Sequence, residues 1–153
     1  MKYFKFILFI FALSSVISCG SDDDICESGE GTPRMKIMFK KNGKIADMDS
    51  VKIYANLGST IVDLGWKLKV DSPLRVDDSP FTDLYVKTSA QEDSTRVRVS
   101  YTTKSIYVSP GCGVKRNYEN VNSVLSAPNS LKSLEQGQNF IDNEEKTNLF
   151  FNF

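Results

Sequence analysis

From residue 35 onward, apolar and polar residues trade places in short runs that change sides every second position. Met35, Ile37 and Phe39 alternate with Lys36, Met38 and Lys40, the period of a half-buried strand. Asn42-Gly43 follows, supplying the two positive-φ residues that a tight hairpin turn demands. Val51, Ile53 and Ala55 alternate with Lys52, Tyr54 and Asn56 and predict the returning or following strand. Shorter candidates lie at 60–64, 68–70 and 84–86, separated by Gly65, by Ser72-Pro73 and by the turn-forming Asp77-Asp78-Ser79-Pro80. Arg96, Arg98 and Ser100 set against Val97, Val99 and Tyr101 make the sharpest alternation, and 106–108 follows closely enough to predict a hairpin. Further strands are expected at 118–125 and at 148–153, the last with Leu149, Phe151 and Phe153 on one face. Leu131 and Leu134 fit either a strand or a helical turn capped by Asn129 or Ser130 and stopped at Gly137. About seven or more short strands without a long helical period predict an all-β fold. The expected form is a single antiparallel β-sandwich, immunoglobulin-like or of similar Greek-key type, with a small barrel as the alternative.

The first 30 residues follow another logic. Lys2 and Lys5 open an apolar run over 6–13, and from Phe6 to Ile17 there are only 12 residues, two of them serine. That is a secretory signal layout, too short for the roughly 20 apolar residues a membrane-spanning helix needs. Val16, Ile17 and Ser18 before Cys19 resemble the lipobox of bacterial lipoproteins. The resemblance implies that 1–18 is a signal peptide and that Cys19 is acylated, with palmitate among the attached chains. Residues 19–31 would then form a tether and 32–153 the folded domain. More than one acyl chain gives stable anchoring where a single chain is marginal. Ser21, Asp22, Asp23 and Asp24 come next. They read as a solvated acidic tether, and they also resemble the export signal that carries Bacteroidetes lipoproteins to the cell surface. Calcium on the three aspartates would require six to eight oxygens on a preformed loop, so no metal is expected.

Composition narrows the chemistry. The chain is 41% hydrophobic and 25% charged, with 19 basic and 19 acidic residues, which leaves no basic footprint for nucleic acid. Histidine is absent, and with it every Ser-His or Cys-His mechanism. With Cys19 acylated, Cys26 and Cys112 remain as an even pair in an oxidising compartment, so a single disulfide is expected. A catalytic thiolate would need a base that the chain lacks.

Other motifs have plain readings. Pro110-Gly111-Cys112-Gly113 is expected to be a turn rather than an anion nest. Asp49-Ser50-Val51 and Asp93-Ser94-Thr95 resemble a short O-glycosylation motif of the same phylum, which makes Ser50 and Ser94 candidate sites. Trp66 with Tyr54, Tyr85, Tyr101, Tyr107 and Tyr118 could stack on sugars, but core packing is the expectation for a lone tryptophan. Lys40-Lys41 and Lys115-Arg116 read as turn and edge charges that discourage aggregation.

Four stretches together resemble an uncharacterised family of small Bacteroidetes lipoproteins, domain of unknown function 6452. They are Cys26-Glu27 with Thr32-Pro33 and a strand ending in Phe39; residues 84–86; Ser100-Tyr101 leading to Tyr107-Val108-Ser109-Pro110-Gly111-Cys112-Gly113; and the aromatic C-terminal strand. The resemblance implies an exported β-domain with a Cys26–Cys112 bridge and implies no reaction. The expected function is a non-enzymatic binding or structural module, without a cofactor. It would be lipid-anchored in the outer membrane, facing the cell surface, with an unidentified protein or glycan as partner. A small carbohydrate-binding or carbohydrate-acting surface protein and a periplasm-facing assembly lipoprotein are the alternatives.

Overall fold

The structure, a computed structural model, describes residues 31–48, 51–66, 69–126 and 128–153. The expected signal peptide at 1–18, Cys19, Ser21, Asp22, Asp23, Asp24, Cys26 and Ser50 lie outside them. Ten strands run in chain order as β1 (Met35–Lys41), β2 (Lys44–Ile45), β3 (Lys52–Asn56), β4 (Ile61–Trp66) and β5 (Val70–Ser72), then β6 (Phe81–Lys87), β7 (Thr95–Ser109), β8 (Gly113–Ser126), β9 (Ser133–Gln136) and β10 (Thr147–Asn152). They form two packed sheets, a single all-β sandwich. One sheet has the order β2-β1-β10-β9, with β5 also on β1, and the other has the order β4-β3-β6-β7-β8.

Alternation decides which residues meet between the sheets. Met35, Ile37, Phe39, Leu149 and Phe151 point inward from the first sheet and Ile53, Ala55, Leu84, Val86, Val97 and Val99 from the second, all buried. Each large side chain so buried stabilises the fold by about 1.5–3 kcal/mol. Phe39 anchors the aromatic end, stacked on Phe151 at 6.2 Å and edge-on to Phe153 at 5.8 Å.

Several local expectations need correction. Asn42 and Gly43 do carry positive φ, 53° and 77°, but the strand returning along β1 is only β2. The 51–56 run crosses to the other sheet, where β3 lies between β4 and β6. Residues 95–109 are one continuous strand rather than a hairpin, because 102–105 contains no glycine or proline to turn the chain. The hairpin instead closes at Pro110-Gly111-Cys112, with Cys112 N–H donating to Ser109 Oγ at 3.1 Å. Residues 133–136 form a strand on β10, so the helical turn does not occur. Gly137 has a different reason to be glycine: a Cβ there would lie 2.3 Å from the Thr147 carbonyl oxygen.

Strand pairing holds two features that period alone does not contain. β1 and β10, the first and last strands, run parallel, and their register skips a residue between Lys36 and Ile37, opposite Thr147 and Leu149. The skipped residue is Asn148, which is buried. Its Oδ1 accepts from the Lys36 N–H at 3.0 Å, and its Nδ2 donates to the Phe140 carbonyl at 3.1 Å and the Gln138 carbonyl at 3.4 Å. The side chain thereby satisfies backbone groups around the bulge, as buried polar groups require.

Candidate binding face

The outward side of the β4-β3-β6-β7-β8 sheet carries the densest chemistry among the described residues. Cross-strand partners share a face, so the register assembles rows. Asp63, Tyr54, Tyr85, Arg96 and Ser126 form one, running from β4 to β8. Ile61, Asn56, Asp83, Arg98 and Val124 form the next. Trp66, Lys52 and Lys87 begin a third. Tyr54 and Tyr85 therefore stand side by side, about one strand spacing of ~4.8 Å apart. With Ile61, Lys87 and Ser94 they line an open depression of about 380 Å³.

Trp66 is 43% exposed, not a core residue as expected. Strict alternation from Asp63 would aim Trp66 inward. Between the pairs Tyr54–Asp63 and Lys52–Trp66, however, β3 has one residue and β4 has two, Leu64 and Gly65. The extra residue is a bulge, made possible by Gly65 at φ 72° and held by its N–H donating to Asp63 Oδ1 at 2.8 Å. It turns Trp66 onto the same face as Asp63. The candidate tyrosines divide in the same way. Tyr101 and Tyr118 are buried and meet edge-to-face at 4.9 Å. The Tyr101 hydroxyl pairs with Thr82 Oγ1 at 2.7 Å, and Tyr118 Oη donates to the Arg75 carbonyl at 3.3 Å. Burial pushes both phenols up. Tyr54, Tyr85 and Tyr107 face outward.

Charge on this face is largely paired. Lys52 Nζ lies 2.9 Å from Asp63 Oδ2 and 5.1 Å from the Tyr54 ring centroid. Its hydrogen bond to Asp63 raises the ammonium pKa, and the same bond, with the Gly65 N–H, lowers that of the Asp63 carboxyl. Arg98 clamps buried Asp83 through two 2.8 Å hydrogen bonds and lies 4.0 Å over the Phe81 ring. That clamp outweighs desolvation and holds Asp83 below the usual carboxylate range. Both acids are thus kept ionised, the reverse of what a general acid requires. With Asp63 and Asp83 so engaged, Lys87 and Arg96 stand beside Tyr85 as the cations a ligand would meet. Such a face suits a ligand that offers a flat apolar surface for the rings and an anionic or hydroxyl group for the cations.

A second feature adjoins the face. β6 pairs with β7 only as far as Ser100, and beyond it 102–109 and 113–119 pair with one another as an overhanging arm. Asn120, at φ 53°, bends the arm where two β8 residues, Asn120 and Val121, oppose Tyr101 alone. At its base, the Arg116 N–H donates to Thr32 Oγ1 at 3.0 Å, and Tyr118 bridges to Ile141. Near its tip, Tyr107 and Val114 face each other, 65% and 58% exposed. A separate cleft of about 540 Å³ lies between 31–34 and 143–145. Arg34 closes it by a two-pronged hydrogen bond to Glu144.

Of the candidates named from the sequence, Cys112 lies in the arm's turn and Ser94 is exposed beside the tyrosine shelf. The structure does not bring these two together. Tyr54 and Tyr85 were among the aromatic candidates, but their side-by-side placement was not foreseen, and the Asp83–Arg98 clamp was missed. Their signal was present, since aromatic rings occupied the outward positions of two alternating strands. No group of residues suited to a metal ion occurs among the described residues, and no helix among them is long and apolar enough to cross a membrane.

One family model, described as a family of unknown function (DUF6452), matches residues 46–153, leaving β1 and β2 outside the match. No curated protein and no solved structure matches the chain.

Proposed function

We propose that this chain, which belongs to the DUF6452 family of unknown function, is a non-enzymatic binding module of the bacterial envelope. It is anchored in the outer membrane through acylated Cys19 and engages its partner on the outer face of the β4-β3-β6-β7-β8 sheet. The observation that carries the reading is the Tyr54–Tyr85–Arg96 row. Rings and a cation are set on the solvent side of the sheet, where packing gives no reason for them. The anchor rests on the short apolar run and the Val16-Ile17-Ser18-Cys19 sequence. The domain is stapled to the tether by a Cys26–Cys112 bridge. The bridge rests on Cys26 and Cys112 being the even pair left in an oxidising compartment once Cys19 is acylated.

Orientation follows from the tether. Ser21, Asp22, Asp23 and Asp24 direct the protein to the cell surface, and a periplasm-facing topology is the alternative. Protease shaving of intact cells tests this: wild type is digested, and the variant with alanine at 22–24 is protected. Protection of both assigns the protein to the periplasmic face. Cys19→Ala releases the protein from membranes, and continued membrane partition would remove the anchor from the reading.

The glycan form of the reading is favoured by the exposure of Trp66 at the end of the tyrosine shelf. Glycan-array binding lost in Trp66→Ala and Tyr85→Ala supports it, and binding unchanged in both variants excludes this face.

A further inference from the structure

We infer that the tip of the β7–β8 arm is a membrane-contact element whose partner is a phospholipid surface, an inference that rests on the lipid-anchored reading above. Three sets of observations converge on it. The first is the course of burial along one side of the arm. Cross-strand partners Thr103 and Tyr118, then Ser105 and Arg116, then Tyr107 and Val114 lie in succession toward the turn. Tyr118 is 1% exposed at the base, whereas the Tyr107–Val114 pair stands clear of the body. An exposed aromatic and aliphatic pair on a two-stranded tip has no packing role to explain it.

The second is charge. Lys104, Lys115 and Arg116 are the arm's cations, and Glu119 at its base is its one acid. Lys104 lies 3.5 Å from that acid, and Arg116 lies 3.9 Å from Asp78. Arg116, paired with Ser105, stands on the same face as Tyr107, and Lys115, paired with Ile106, stands on the opposite face. An exposed aromatic ring on a ribbon that carries basic side chains on both faces is a composition favoured at a headgroup boundary, with the ring at the interface and the cations toward lipid phosphates.

The third is reach. The chain enters the domain beside the arm, where Thr32 meets Arg116. Thirteen residues link Cys19 to Thr32, at most about 45 Å of extended chain. Through a Cys26–Cys112 bridge, the path from the acylated residue to the turn is seven residues, at most about 25 Å. The anchor therefore keeps the tip close to the bilayer at high effective concentration. Under that constraint a contact too weak to recruit the protein alone becomes occupied.

The test uses the full lipidated protein in vesicles of phosphatidylethanolamine and phosphatidylglycerol with a fraction of brominated acyl chains. Tyr107→Trp in a Trp66→Phe background supplies a single reporter, and Val114→Trp in the same background supplies a second should the first misfold. The protein carrying only Trp66 is the comparison. Floating protein whose tip tryptophan shifts to the blue, and loses about half its emission to the bromolipid as expected for a ring at the headgroup level, supports the inference, provided Trp66 is unaffected. Floating protein whose tip tryptophan stays as accessible to iodide as in soluble Cys19→Ala protein overturns the inference and leaves the anchor standing. Protein that does not float overturns both.

Discussion

The two halves of β7 are one strand in two environments. Residues 95–101 lie between β6 and β8, and every second side chain there is buried from Thr95 to Tyr101. Residues 102–109 continue the same backbone with β8 alone beside them, and no residue among them is buried. The alternation of the first half is enforced by a second sheet beneath it. In the second half the same period has nothing to enforce it, so Tyr107 remains in water. Side-chain direction is thus local, whereas burial is set by what the fold brings to the other side.

Removing mass from the enclosed half's core should break this contrast most severely. Phe151→Ala takes a fully buried ring from between the sheets and should cost about 3–5 kcal/mol, read as a large drop in the denaturant midpoint with an unchanged slope. Asn148→Ala should follow at about 2–3 kcal/mol, since the Lys36 N–H and two carbonyls lose their partner in a dry site; a loss below about 0.5 kcal/mol would mean that the bulge is not stabilised by this side chain.

A smaller effect belongs to the Asp83–Arg98 clamp on the outer side of the enclosed half. Arg98 lowers the folded-state pKa of Asp83, so the clamp's contribution is whole above the unfolded-chain pKa of about 4. It is lost as the pH falls from there through the folded value. Asp83→Asn should flatten the stability profile below about pH 4 relative to wild type, and parallel acid-unfolding curves would count against the clamp. The smallest effect should come from the free half. Tyr107→Ser with Val114→Ser should change the stability of the soluble domain by no more than about 0.5 kcal/mol, and a larger loss would show that the arm is part of the core.

Legibility in the sequence followed the same division. The inward positions of β1, β3 and β10 were readable because each strand alternates cleanly between sheet interior and solvent, and Asn42-Gly43 marked its turn by chemistry. Trp66 was misread because the bulge at Leu64 and Gly65 shifts the phase of β4, and a bulge depends on the partner strand as much as on the bulged one. Asn148 was invisible for the same reason. The continuity of β7 through 102–105 was hidden by its weak alternation, although the absence of turn residues there was a usable signal. The binding face could not be assembled beforehand. Its rows join β4, β3, β6, β7 and β8 in an order that differs from the order of the chain, and period-two patterns do not say which strands are neighbours.

The parallel pairing of β1 with β10 bears on the timing of folding. The first strand of the domain takes its central neighbour from β10, Thr147–Asn152, so the sheet cannot close before β10 has been synthesised. Contacts this distant in sequence are slow to form. The sandwich is therefore finished late, by the joining of strands from opposite ends of the domain.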